Sequence, residues 1–296
     1  MAKVTRPLDM GHHDPGRTNQ MSAATDYAAR HDAIAAQQSR IFGPEPQGDP
    51  WGAEAGFFRM DPNRDLGTNL RMISSYLRPG DVLVDVGGGA GRVCLPMARY
   101  CREVVMVEPS PGMGAEFEAS RREAGIDNAR RVQADWMDAV GIEGDVVFSG
   151  DVTYFVRDIV PFVEKLAAAA RRRVVITLWN EPPPCRGTPL FKLAHGEEQV
   201  QLPGFRQLLS VLWEMDILPD VLVLPEGPWW ENRAYPSRED ALTWAVEGPW
   251  LRAEDRERAT GIFRDNFDEL FTSGPEGFRP RWQRPMRELL ITWETA

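Results

Sequence analysis

Cysteine is scarce in this chain. Its three residues, Cys94, Cys101 and Cys185, are odd in number and stand in no metal-ligand spacing. That excludes a disulfide framework and points to free thiols in a reducing compartment. Long apolar runs are missing as well: the opening Met-Ala-Lys-Val-Thr-Arg-Pro has no signal-peptide core, and no stretch reaches the length of a membrane span. The expected setting is cytoplasmic, with no membrane partner. Positive charge is in deficit, with a net charge of −10 at pH 7 over 296 residues. A chain of that balance lacks the general basic footprint of a phosphate-backbone binder, so a small-molecule substrate is expected and nucleic acid is not. His12 and His13 lie in a polar, turn-rich start and supply no complete ligand set, so no metal is expected. No internal repeat is evident.

What the chain has is one dense stretch, Val82-Leu83-Val84-Asp85-Val86-Gly87-Gly88-Gly89-Ala90-Gly91-Arg92. The apolar run is of strand length and fits a central parallel strand buried on both faces. A helical pattern follows from Val93, so Gly87 to Gly91 form a turn that bends sharply and lets a ligand approach the backbone. The helix start behind it leaves free N–H groups for an anionic group. A dinucleotide fingerprint, G-x-G-x-x-G, would need glycine at 92, where the chain has arginine. The pattern present is D-x-G-x-G-x-G. A second strand, Val104 to Val107, ends in Glu108, near the roughly 20-residue offset at which an acid meets a ribose. By that offset alone, Glu108 suits either an adenosylmethionine or a nicotinamide dinucleotide.

Asp85, Gly87, Gly89 and Gly91 resemble motif I of the class I S-adenosylmethionine (SAM)-dependent methyltransferases. The resemblance covers residues 80–224 plus the final strand, and it implies SAM as cofactor with Glu108 on the ribose. It further implies that Pro109 and Met113, in the turn after Glu108, pack against the adenine. Asp135 would hold the adenine amino group and Trp136 would stack beside the ring. The end of the fourth strand, Ser149-Gly150-Asp151-Val152-Thr153-Tyr154, is where the family faces the departing methyl group. Ser149 is therefore carried over as a cofactor residue, and Asp151 and Tyr154 as catalytic candidates. His195, after the fifth strand, is a further base candidate. The Asn- or Asp-Pro-Pro-aromatic motif of amino-methylating enzymes acting on nucleobases or glutamine side chains is absent there, where the chain has Ser-Gly-Asp-Val, so those substrates are disfavoured. Asn180-Glu181-Pro182-Pro183-Pro184 follows the fifth strand instead and reads as a rigid loop.

From Asp81 onward strand and helix patterns alternate: strands over 81–86, 104–108, 130–134, 145–149, 174–179, 220–224 and 288–293, with helices over 91–101, 113–124, 158–170 and 205–215. The fold class expected is α/β, a Rossmann-like seven-stranded mostly parallel sheet with helices on both faces, plus a helical cap. In the resembling family the last strand inserts antiparallel between strands five and six. The organisation predicted is an N-terminal helical segment and cap (1–60), a SAM-binding core (61–224), a helical insertion forming a substrate lid (225–286) and a final core strand (287–296). Ser22 or Thr25 can start a helix over 22–40, and a further helix is expected over 69–77. Trp51, Phe58 and Arg59 are placed to lie across the cofactor mouth. In the lid, Ser237-x-x-Asp240 reads as a capping box, and Glu254 to Phe271 as a helix. Trp179, Trp229, Trp230 and Tyr235 could line a pocket for an apolar acceptor. The function expected is methyl transfer from SAM to a small molecule. The alternatives are an NAD(P)-dependent oxidoreductase, disfavoured because none of Tyr76, Tyr100, Tyr154 and Tyr235 has lysine four residues on, and a SAM-binding protein without turnover.

Overall fold

The Ser22 side chain accepts a hydrogen bond from Thr25 N and so starts α1 (Ala23–Phe42), which ends at Gly43 in a positive-φ conformation. The computed structural model describes residues 22–44, 48–228 and 234–295. A 3₁₀ turn over Gly52–Phe58 leads to α2 (Gly67–Ser74) and then to β1 (Val82–Val86), α3 (Cys94–Met97) and β2 (Glu103–Val107). Next come α4 (Pro111–Glu123), β3 (Ala129–Val132), β4 (Gly144–Gly150), α5 (Ile159–Ala169) and β5 (Ala170–Trp179). After α6 (Thr188–His195), α7 (Phe205–Glu214) and β6 (Asp220–Val223), the insertion supplies α8 (Arg238–Glu247), α9 (Arg256–Asp265) and α10 (Phe267–Leu270). A hairpin of β7 (Phe271–Gly274) and β8 (Gly277–Pro280) precedes the closing β9 (Glu288–Glu294).

The main sheet has the order β3-β2-β1-β4-β5-β9-β6, with β9 antiparallel to both β5 and β6 and every other pair parallel. This is the architecture expected from the sequence. Successive strand residues face opposite sides, so each face has its own core. Val82, Val84, Val86, Val105, Val107, Val147 and Ile176 pack against α1, α5 and α7. Leu83, Val104, Met106, Val146 and Phe148 pack against α2, α3 and α4 through Ile73, Leu95, Met97 and Phe117. Burial on both sides explains why the strands read as apolar runs rather than alternations.

Four expectations change. The helix expected over 91–101 shrinks to α3 and a 3₁₀ turn at Ala98–Tyr100. Pro96 is the reason: it has no N–H for the carbonyl of Arg92, which instead accepts from Arg64 Nη2 at 2.7 Å. The helix expected over 254–271 is broken into a 3₁₀ turn, α9 and α10, and then becomes the β7–β8 hairpin. The N-terminal helix is mostly not a cap. Tyr27 on α1 donates to Thr153 O at 2.6 Å within the sheet-side core, and only Ile41 and Phe42 at the end of α1 reach the cap. Finally, the 225–286 insertion does not build its core alone. Leu190, Phe191 and Ala194 of α6 share it with Ala241, Leu242, Trp250, Phe263, Phe267 and Phe271, so the cap draws on a helix that lies inside the expected 61–224 core. The Ser237–Asp240 capping box is formed, with Ser237 Oγ accepting from Asp240 N at 3.1 Å and Asp240 Oδ2 from Ser237 N at 3.0 Å.

Candidate active site

The β1 strand delivers Asp85 to the sheet's carboxyl edge, and the chain then turns through Gly87, Gly89 and Gly91, all at positive φ. At Gly91 a Cβ would stand 2.7 Å from Leu95 Cδ1 and Phe117 Cδ2, so only glycine closes the turn onto the helix layer. At Gly89 the Cβ position is open, with only Met113 Sδ within 4 Å, at 3.6 Å. The middle of the turn is thus bare backbone facing free space, as a backbone-bound ligand requires.

Glu108 follows β2 and is 6% exposed. Its Oε2 accepts from Gly89 N at 2.9 Å and its Oε1 from Ser110 N at 2.8 Å. One carboxylate thereby ties the glycine turn to the start of α4. Each oxygen keeps a lone pair, so a vicinal diol can still donate to the pair. Burial pushes the Glu108 carboxyl up, against the two backbone N–H bonds that lower it. Asp85 lies below the turn, 2% exposed, and burial pushes it up to about 7, with Cys94 as its hydrogen-bond partner.

A strap from the N-terminal segment crosses this cradle. Asp49 Oδ2 accepts from Gly112 N at 2.9 Å and from Ser110 Oγ at 2.8 Å, capping α4, and the Gly112 bond holds the Asp49 carboxyl below its usual range. Trp51 and Phe58 pack on Ala55, Ala90 and Met113. The Trp51 ring also meets Phe155 edge-on at 5.5 Å, so it bridges the glycine turn and the end of β4. Arg59 is turned away, paired with Glu116 and Glu123 of α4. A cleft of about 490 Å³ beside it is lined by Arg59, Asp61, Asn63, Ser120 and Glu123, and no residue of the cradle takes part.

The other side of the crevice centres on Asp151, directly after β4. It holds a left-handed conformation, φ 62°, with its N–H on Thr177 O at 2.9 Å. Its Oδ2 accepts from Trp179 Nε1 at 3.2 Å and Arg92 Nη2 at 3.4 Å. Burial pushes this carboxyl up to about 7, Arg92 pulls it down and Glu288 pushes it further up. Glu288 was not foreseen in the sequence. The signal was available, because an antiparallel last strand must begin at the carboxyl edge of its parallel neighbours. Arg92, the residue that breaks the dinucleotide fingerprint, also acquires its partner only in three dimensions.

Several expected site residues are placed elsewhere. Ser149 is fully buried, its Oγ bonded to Val86 O at 3.2 Å between two strands, so it cannot face a cofactor. The Tyr154 hydroxyl is occupied by the N–H and carbonyl of Trp179, and at 1% exposure it braces β5 rather than an acceptor. The Trp136 ring, 5% exposed, packs into the sheet-side core with Lys165 Nζ 5.0 Å from its centroid, leaving no face for an adenine. Asp135 is exposed, and its Oδ1 accepts from Met137 N at 2.7 Å. Pro109 is exposed beside Glu108, and Met113 sits under the strap. His195 belongs to the cap core: its ring meets Phe42 and Phe191, and Nε2 bonds Trp250 O at 2.8 Å. Tyr235 packs on Trp244 in the cap, and Trp179 borders Asp151. His12, His13, Trp229 and Trp230 lie outside the described residues. Among the described residues no helix is long and apolar enough to cross a membrane, and no cluster of three His, Cys, Asp or Glu is set to hold a metal.

Residues 83–173 match a family model described as a methyltransferase domain. Among curated proteins, the 23S rRNA (uracil(1939)-C(5))-methyltransferase RlmD of Aeromonas salmonicida is 43% identical over 67 residues, 23% of this chain and 14% of that protein. The enzyme of the same name from Xanthomonas campestris is 31% identical over 147 residues, 43% of this chain and 33% of that protein. The chain thus spans a third or less of the length of these two relatives. Among solved structures, a methyltransferase-like protein of Bacillus halodurans aligns with TM-score 0.54 at 12% identity, covering 77% of this chain and 97% of that one. YcgJ of Bacillus subtilis aligns with TM-score 0.50 at 15% identity, covering 76% and 97%. These likenesses establish the fold. The rRNA enzymes overturn the exclusion of nucleic acid drawn from net charge, because a charge summed over the whole chain does not describe one local surface. With its glycine turn and its ribose-ready carboxylate inside or beside the matched segment, the chain carries a methyltransferase domain over residues 83–173, and the cofactor of such a domain is S-adenosylmethionine.

Proposed function

We propose that this protein transfers the methyl group of SAM to a small-molecule acceptor held between the strap and the Asp151 side of the crevice. The observation that carries the transfer is the cradle, where Glu108 is fixed by Gly89 N and Ser110 N beside an open glycine turn. When bound, SAM supplies a methyl on a positively charged sulfur, an electrophile that needs no further activation. The protein's share is to hold the acceptor in line, which can contribute on the order of 7–11 kcal/mol. Gly87 to Gly91 would receive the methionine end and Glu108 the ribose. Trp51, lying across the turn, is suited to exclude water. Asp151 borders the space beyond and can take a proton where the acceptor carries one.

The size of the acceptor is supported by the aromatic strap over the mouth, which favours a compact group. A second reading, an RNA base as acceptor, is supported by the curated rRNA methyltransferases. The three thiols are buried and burial pushes each of them up, so they do not offer a thiolate to activate a carbon acceptor. Incubation of the protein with methyl-labelled SAM, a small-metabolite fraction and, separately, unmodified 23S rRNA tests both. Label recovered in a metabolite is the expected result. Label in rRNA would favour the second reading, and no transfer by protein saturated with SAM would make it a binder without turnover.

A further inference from the structure

Among the described residues, one edge of the main sheet is left open beside an apolar surface. β6 is the last strand in the order, paired on one side with β9 and on the other with no strand. Leu224 N donates to Glu288 O at 2.8 Å, and in an antiparallel ladder every second residue bonds the same neighbour. Asp220, Leu222 and Leu224 therefore turn their backbone groups to β9, while Val221 and Val223 turn theirs to the open edge. Pro219 and Pro225 flank the strand and have no N–H to offer. The edge thus presents two N–H donors, one at each valine.

Of the nine exposed large apolar side chains among the described residues, four, Trp213, Leu218, Val221 and Val223, fall within residues 213–223. That is a patch rather than a scatter of single residues. Val221 stands opposite Ile291, on the sheet face that α7 packs against, whereas Leu222 and Leu224 face the other core. Charge is divided along the same helix. Arg206 at its start is exposed, with its guanidinium carbon 5.7 Å from the Phe205 ring centroid, and Asp216 just past its end is exposed as well. Among the described residues neither meets an opposite charge. The chain reverses between α7 and β6, so helix and strand run in opposite directions.

We propose that β6 pairs with β6 of a second copy of this chain, antiparallel about a two-fold axis through Leu222. In that register Val221 exchanges both backbone bonds with the partner's Val223, and Val223 with the partner's Val221, so every outward donor finds an acceptor. A slip of two residues would set one of them against a proline, which returns no bond. The same symmetry lays the start of the partner's α7 beside the end of this one. The partner's Arg206 then meets Asp216 and the exposed ring of Trp213, so the charges are complementary across the axis. Two seven-stranded sheets become one, and the pairing consumes this edge, so assembly through it stops at two copies. The carboxyl edges of the two sheets point in opposite directions, which leaves both cradles unchanged.

Sedimentation velocity of the full chain between about 1 and 100 μM tests this. The expected species is a dimer, twice the 33.3 kDa mass of the chain, that dissociates on dilution. V223K sets a charge on the open edge and should weaken the dimer at least tenfold. R206E brings an acid to the partner's Asp216 and should weaken it severalfold. Both variants should match wild type in far-ultraviolet circular dichroism. In wild type, hydrogen exchange at the Val221 and Val223 amides should slow as concentration rises. A monomer throughout the range overturns the proposal, and slow exchange at both amides in that monomer would mean that another part of the chain covers the edge. A dimer that neither variant weakens has its interface elsewhere and overturns it too. If V223K does not fold, the two amides decide, and exchange that does not change with concentration overturns the pairing.

Discussion

The two sides of the crevice are built differently. On the cofactor side each oxygen of Glu108 is met by a backbone N–H, and Asp49 caps the helix that follows. On the acceptor side Asp151 is held by two side chains, Arg92 and Trp179, and keeps one oxygen without a donor. Backbone donors are fixed by the turn and do not depend on side-chain identity. A site made that way suits an unchanging ligand such as SAM. Side-chain donors can be exchanged one residue at a time without disturbing the strands, so a site built that way can change its ligand more readily than the cradle can.

Breaking the backbone-built side should cost most. Gly91→Ala combines a left-handed penalty of roughly 1–2 kcal/mol with overpacking against Leu95 and Phe117 of about 1–3 kcal/mol. The unfolding midpoint should fall by several degrees and affinity for S-adenosylhomocysteine should collapse; a mutant matching wild type in both would refute the reading of the turn. Glu108→Ala comes next. It leaves the Gly89 and Ser110 N–H groups without an acceptor and removes the ribose partner. A loss of about 1.5–3 kcal/mol in binding, read by calorimetry, is expected from hydrogen bonds to a charged group, with the fold retained.

The acceptor side sharpens the comparison through pH. Burial raises the folded-state Asp151 carboxyl to about 7 from its ordinary 3.8, with Arg92 opposing and Glu288 reinforcing. Between those values the folded chain binds more protons at this group than the unfolded chain, so its contribution to stability falls as pH rises through that window and levels off above 7. Asp151→Asn removes this slope. The midpoint of the mutant relative to wild type should therefore climb from pH 5 to pH 7.5 in denaturation series at fixed salt, and a difference independent of pH would mean that Asp151 titrates normally. The smallest effect expected is at the strap. Asp49→Ala deletes the cap on Gly112 and should cost about 0.5–2 kcal/mol, with faster hydrogen exchange over residues 49–58 and little change in the sheet.

What could be read in the sequence follows the same division. The strands, the glycine turn and Glu108 are local features, set by apolar runs, by turn chemistry and by one short offset, and they lie where the pattern places them. Insertion of β9 between β5 and β6 was carried by the family resemblance rather than by pattern. The orientation of a side chain at a strand end is less legible. Ser149 and Asp151 are two residues apart, yet Ser149 points between strands while Asp151, beyond the last ladder pair, opens on the crevice. The pairing of Arg92 with Asp151 and the approach of Glu288 span 59 residues or more, and depend on sheet order that no local window contains. Tryptophans misled for a related reason: Trp136 is adjacent to a strand end, but its large apolar ring is more stable in the core than at a ligand face. The cap's dependence on α6 was hidden because helices after a β-strand read alike whether they cover the sheet or leave it.

The central claim is that the 85–91 turn and Glu108 form a SAM cradle, and the most direct measurement is thermal unfolding of wild type with SAM, S-adenosylhomocysteine, NAD and NADP in separate samples. Ligand at 100 times its dissociation constant adds about 2.7 kcal/mol, enough to raise the midpoint of a chain this size by several degrees. The account predicts a rise with SAM and S-adenosylhomocysteine and none with either nicotinamide nucleotide. A rise with NAD or NADP alone would contradict it and make the cradle a dinucleotide site despite Arg92.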